Sequence, residues 1–248
     1  MVTFTSSDDL SNAEFVGVDL QHSWFRQSSL RAVRIRGADL TGAEIDGDID
    51  GVRVNGIEIA PLVEAELDRR YPERAALRAR DAGSMRSGWA GLEAMWTPTL
   101  ERAAALPPET VGVSVDGEWS FAQTLRHLVF ATDVWLGASV QGRADAFHPI
   151  GVPYSGWRAR ATDVGIDLDA APSYEQVLQV RAERVALVRE FLATVSDETL
   201  SEQRESSVFT GGAPFPVRQS LWIIMNEEWH HHRYAVRDLD AIATRGTA

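Results

Sequence analysis

Asn226-Glu227-Glu228-Trp229-His230-His231-His232-Arg233-Tyr234 lies inside a segment, Val217 to Ile242, whose apolar residues Leu221, Ile224, Met225, Ala235, Leu239 and Ile242 recur at helical spacing. Three of the six histidines of the chain fall in this stretch. On a helix, residues four apart stack on one face, so Glu227 with His231, or Glu228 with His232, offers a carboxylate and an imidazole to one point. That is metal-ligand spacing. Glu228 and His232 fall at the centre of the apolar stripe, where burial in a core is expected. Glu227 and His231 fall on its flank, where a cleft with a neighbouring helix forms, and this is the preferred register. Either pair needs a further ligand, so the chain must fold in a way that delivers one from elsewhere.

Composition bounds the answer. At 248 residues the chain can form one large domain or two modest ones. No window approaches the roughly 18 consecutive apolar residues of a membrane span, and the start has no basic-then-apolar signal, which predicts a cytoplasmic protein with no membrane partner. There is no cysteine, which removes disulfides, thiolate metal sites and cysteine nucleophiles together. A net charge of −12 argues against a nucleic-acid partner, which needs a basic face. All 24 basic residues are arginine, a bias of GC-rich genomes such as those of actinobacteria.

Upstream, a bulky apolar residue recurs at every fifth position: Leu10, Phe15, Leu20, Phe25, Leu30, Ile35, Leu40 and Ile45. A period of five is neither helix nor strand. Small or β-branched residues precede most of them by two positions, and Ala38-Asp39-Leu40 is an unaltered Ala-Asp-Leu unit. The pattern resembles the pentapeptide-repeat family. That resemblance implies a short right-handed, four-sided β-solenoid of about two coils with the apolar residues inward, which needs a cap or a docked domain. Longer solenoids of this kind imitate DNA; two coils bearing Arg26, Arg31, Arg34 and Arg36 suit a packing or dimerisation module better. Asn55-Gly56 between short apolar runs predicts a closing hairpin, and Pro61 opens a short helix. The expected division is residues 1–60 for the repeats and hairpin and 61–248 for a helical domain.

The remainder reads as mainly α. From Glu73 a long helix carries Trp89, Leu92, Trp96, Leu100 and Ala103, with a kink expected at Pro98. A linker follows in which Val111, Val113 and Val115 suggest a short strand. Ser120 with Gln123, and Ser173 with Gln176, have capping-box spacing and open the second and third helices. His127 lies across the second helix from its main stripe. Residues 141–170 form a long loop suited to a lid or pocket wall, with His148 near its mouth. A Gly211-Gly212 turn precedes the last helix. Four long helices with one long crossover predict a four-helix bundle. Trp89, Trp96, Trp135 and Trp222 are expected in the core, and Trp119, Trp157 and Trp229 are candidates for a pocket.

Glu118-Trp119-Ser120, His127-Leu128 and Trp135, followed by Asn226-Glu-Glu-Trp-His-His-His-Arg, resemble the DinB/YfiT-like superfamily of four-helix metal proteins. The resemblance implies a DinB-like four-helix bundle, preceded by the solenoid, with one metal-binding histidine on the second helix, matching His127, and a pair on the last helix, matching Glu227 and His231. Glutamate stands where many members have histidine, but the mycothiol-dependent maleylpyruvate isomerases of the same superfamily are similar in having a His, Glu, His set.

Such a set would hold a divalent ion, zinc first, with nickel, iron or manganese as alternatives, and leave positions open for water or a sulfur atom. The ion would lower the pKa of either, giving hydroxide or thiolate near neutral pH. With no cysteine in the chain, the thiol would come from a cosubstrate, and the resemblance points to mycothiol together with a small-molecule substrate. The expected activity is that of a thiol-dependent transferase or isomerase, with a homodimer as a further expectation. The rival class is a non-catalytic binding or stress-response module in which the bundle dimerises and the solenoid recruits a protein. No glycine-rich phosphate loop and no nucleophile elbow is present.

Overall fold

The computed structural model describes residues 2–5, 7–26, 28–204 and 214–245, so the Gly211-Gly212 turn lies outside the described residues. The chain divides into two compact units, Met1–Gly42 and Ala43–Ala248.

In the first unit the period of five is written into the backbone. Asn12, Gly17, His22, Ala32, Gly37 and Gly42 have positive φ, each two positions after a repeating apolar residue. Where the Ala13, Ser23 and Val33 N–H groups donate to the carbonyls of Leu10, Leu20 and Leu30, at 3.1 to 3.2 Å, the corner is a type II turn. The carboxylates of Asp9, Asp19 and Asp39 accept from the N–H groups of Ser11, Gln21 and Thr41 at 2.9 Å, reinforcing alternate corners. The expected strands and buried interior are not what this unit shows. Among its described residues no strand forms, and Leu10, Phe15, Leu20, Phe25, Leu30, Ile35 and Leu40 remain 44 to 60% exposed. Eight five-residue units give each turn too few neighbours to cover its apolar residue.

The second unit opens with a hairpin of β1 (Arg53–Val54) and β2 (Ile57–Glu58), paired antiparallel. Asn55 and Gly56 both have positive φ, as a type I′ turn requires. Helix α1 (Ala60–Arg70) carries Pro61 in its first turn. The helical pattern from Glu73 gives way to a 3-10 segment, Pro72–Arg78, and the long helix α2 begins only at Ala82 and runs through Pro98 to Ala104. Its start is set by a capping box: the Asp81 carboxylate accepts the Ser84 N–H at 2.8 Å, and the Ser84 hydroxyl accepts the Asp81 N–H at 3.3 Å. The strand expected at Val111–Val115 is a 3-10 turn, Pro108–Gly112. The Thr110 and Val113 N–H groups bond locally to Pro107 and Thr110 carbonyls, which removes the donors that a strand would offer.

Helices α3 (Phe121–Thr132) and α4 (Tyr174–Thr194) start at their expected capping boxes, and α3 continues as a π-helical turn, Asp133–Ala138. A short α5 (Asp197–Ser201) leads to β3 (Gln203–Arg204), which pairs with β4 (Phe215–Pro216) directly ahead of the last helix, α6 (Val217–Arg245). Helix α3 packs on α4 and α6, and α2 packs on the same two helices. Met85, Trp89, Val188, Leu192, Leu221, Met225 and Trp229 meet in one core cluster, and Trp96, Phe121, Leu125, Leu128, Val177 and Leu239 in a second.

Three tryptophan assignments are corrected by packing. Trp222 is 43% exposed, because it lies off the buried stripe of α6. Trp157 and Trp229 are buried rather than lining a pocket, against Phe130 and Phe147 in the first case and Tyr71 in the second. Among the described residues no helix is long and apolar enough to cross a membrane. Leu239 is fully buried between α2 and α3 residues, so Leu239→Ala should destabilise the fold by about 3 kcal/mol, read as a lowered urea midpoint with an unchanged slope.

Candidate metal centre

Packing of α3 against α6 places His127 opposite Glu227 and His231. One Glu227 carboxylate oxygen, Oε2, lies 3.4 Å from His127 Nε2 and 3.1 Å from His231 Nε2. One ligand atom from each of the three residues lies within 4.8 Å of the other two, and the 3.1 and 3.4 Å separations from Glu227 are ones that two bonds of about 2.1 Å to a single ion span.

The orientation of His127 is fixed from behind. Its Nδ1 lies 2.9 Å from the Val152 carbonyl, which can only accept, so Nδ1 carries a proton and Nε2 faces the cluster. Val152 belongs to a strap sewn onto α3 by two more bonds: the Val152 N–H donates to the Arg126 carbonyl at 3.2 Å, and the Arg126 guanidinium donates to the Ile150 carbonyl at 2.7 Å. Gly151 permits the close approach, since a Cβ there would meet the His148 carbonyl at 3.3 Å and Phe130 at 3.4 Å. This strap is the part that sequence reasoning missed; its only signal was a glycine in a long loop.

Aromatic rings close the sides. The Trp119 ring centroid lies 4.4 Å from that of His127 and 5.9 Å from that of His231, Phe130 flanks His127 at 5.9 Å, and Tyr234 flanks His231 at 5.7 Å. Trp119 immediately precedes the α3 cap residue Ser120, so the capping box also sets its position. The neighbouring Glu118 is tied to Arg237 of α6, and the Tyr234 hydroxyl donates to Asp46 at 3.0 Å.

Electrostatics favour a cation among these groups. Burial would raise the Glu227 carboxyl, but the imidazoles of His127 and His231 outweigh it and hold the group well below the usual carboxylate range. Burial pushes His231 below the ordinary imidazole value, so that ring is neutral at pH 7. An anionic oxygen therefore faces two ring nitrogens, an arrangement in which a divalent cation can take the place of a shared proton. A positive ion satisfies all three at once.

The alternative register is engaged elsewhere. Glu228 is buried in an ion pair with Arg181 of α4, and His232 Nε2 lies 2.8 Å from the Thr99 hydroxyl with its ring against Trp96. His230 packs on Trp229. His22 occupies an exposed repeat corner. The His148 N–H donates to the buried Asp133 carboxylate at 2.8 Å, and the residue lines a cavity of about 510 Å³ beside α4, with Gln176 and Glu183, rather than the cluster.

In a mainly helical protein a histidine, a glutamate and a second histidine thus converge on one point, a group that could hold a divalent metal ion. Residues 91–235 match the family model of the DinB superfamily, and the chain belongs to that family. Residues 9–47 match pentapeptide repeats in eight copies. No curated protein and no solved structure matches the chain.

The Arg181–Glu228 pair gives a test of the packing behind the site. Arg181→Met leaves a buried carboxylate without its cation and should cost about 3–5 kcal/mol, whereas Arg181→Met with Glu228→Leu should recover most of that loss; chemical denaturation of both variants reads the difference.

Proposed function

We propose that the chain is a metal-dependent enzyme of the DinB type in which His127, Glu227 and His231 hold one divalent ion, zinc first, with nickel, iron or manganese as alternatives. The observation that carries this reading is the convergence of three electron-pair donors on one point, with the outer nitrogen of His127 locked by the Val152 carbonyl. The ion would supply a Lewis acid with open positions, able to lower the pKa of a bound water or thiol.

The chain's own residues do the rest. His127 and His231 give neutral nitrogens, Glu227 contributes the negative charge that favours a divalent ion, and Trp119, Phe130 and Tyr234 hold the imidazole planes in place. The absence of cysteine from the sequence supports an imported thiol. We read that thiol as a low-molecular-weight cosubstrate, mycothiol in the first instance, and the reaction as transfer to, or isomerisation of, a small electrophilic substrate. In the same reading α2, α3, α4 and α6 are the four-helix bundle of this superfamily, and the corners at every fifth residue are those of pentapeptide-repeat β-solenoid coils.

Elemental analysis of purified protein tests the site. Close to one divalent ion per chain is expected, falling at least about tenfold in His127→Ala and in Glu227→Ala while His22→Asn, at an exposed repeat corner, retains it. Substoichiometric metal that does not fall in His127→Ala overturns the proposal. Metal-dependent consumption of mycothiol with an electrophilic acceptor is the expected activity, abolished by chelation and restored by zinc.

A further inference from the structure

Asp133 is a buried carboxylate outside the His127, Glu227, His231 cluster. It opens the π-helical turn that continues α3, with 2% of its side chain exposed, where an apolar residue would pack without bringing a charge out of water. Both of its oxygens are engaged. Oδ1 accepts from Arg184 Nε at 2.6 Å, and Oδ2 accepts the His148 N–H at 2.8 Å. Arg184 of α4 balances the charge. The second oxygen serves the backbone at the start of the strap.

His148 passes that anchor along the strap. Its carbonyl accepts the Gly151 N–H at 3.0 Å, and its Nδ1 accepts the Ile150 N–H at 3.3 Å. Burial and the nearby charge of Arg184 hold this imidazole below its ordinary range, so the ring is neutral at pH 7, and the Ile150 donor selects the tautomer with a lone pair on Nδ1. The two residues ahead of Val152 are thereby fixed from His148, and the Val152 carbonyl is aimed at His127 Nδ1, 2.9 Å away. The path leaves α3 at Asp133 and returns to α3 at His127. Metal–nitrogen bonds hold to within about 0.2 Å of their ideal length, so a small rotation of the His127 ring is enough to weaken a site.

We propose that Asp133 and His148 are positioning residues of the metal centre: through the strap they fix the direction of His127 Nε2 and so set the affinity for the divalent ion. This rests on the reading of His127, Glu227 and His231 as its ligands.

Two readouts on the full-length protein test it: zinc affinity by competition with a chromophoric chelator, and the visible absorption of the cobalt(II)-loaded protein. His148→Ala removes the acceptor for the Ile150 N–H and should raise the Kd for zinc at least about tenfold and alter the cobalt(II) spectrum. His148→Asn, whose side-chain oxygen can take the place of Nδ1, should keep the parent spectrum and a Kd within about threefold of the parent. Asp133→Leu with Arg184→Met removes the strap's anchor without leaving a charge unpaired, and should raise the Kd at least about tenfold. Leu192→Ala, a change in the core cluster of Met85 and Trp89, should lower stability and leave both readouts at their parent values. Parent-like readouts in both His148→Ala and the double variant, His148→Asn no better than His148→Ala, or an equal loss in Leu192→Ala would each overturn the proposal while zinc binding still depends on His127. Zinc binding that survives His127→Ala would overturn it together with the reading on which it rests.

Discussion

The rotational setting of α6 is the constraint on which the site depends, and the buried Arg181–Glu228 ion pair is the interaction that holds it. Successive residues of an α-helix point about 100° apart, so adjacent glutamates cannot serve the same neighbour. With Glu228 turned to α4 and enclosed with a guanidinium, Glu227 is turned to α3 and meets His127. His231, one turn on, follows Glu227, and His232 follows Glu228 into the core beside Trp96 and Thr99. A carboxylate in a protein interior is tolerated only with a charged partner, so the pair resists any rotation that would separate it. The Glu228 carboxyl is nonetheless raised by its burial, with Arg181 opposing the shift only in part. The Trp96 indole beside the pair also opposes that shift.

Around that setting the cluster is built in shells. The three candidate ligand atoms come from two helices, but the direction in which His127 Nε2 points comes from the strap through Val152, and the imidazole planes are held by Trp119, Phe130 and Tyr234. The Glu118–Arg237 pair joins the residue beside Trp119 to α6. Each supporting contact spans two elements, so the geometry belongs to the assembled domain and not to any one helix. The family assignment agrees with this arrangement, since the matched residues 91–235 include all three candidate ligands and the strap.

The repeat unit obeys different physics. Its regularity comes from corners, each with a left-handed residue two positions after an apolar one, and alternate corners are reinforced by aspartate side chains. Corners fix a path but bury little. The apolar residues that define the repeat therefore stay exposed.

The sequence by itself determined what local chemistry can encode. The capping boxes at Ser120 and Ser173, the Asn55-Gly56 hairpin, the period of five and the i, i+4 pairing of Glu227 with His231 each depend on residues within a few positions of one another, and each is legible in the chain. It also narrowed the ligand choice to two registers on one helix. Other features escaped it because nearby donors and packing won over pattern: the late start of α2 at the Asp81 cap, the 3-10 turn in place of a strand at Val111, and the exposure of Trp222. Only the tertiary structure decided that Glu228 faces Arg181, that Glu227 faces a histidine 100 positions away, and that the Val152 carbonyl orients that histidine. These are contacts between residues 25 to 100 positions apart in the chain, and no periodicity within a helix carries information about which neighbour its faces will meet.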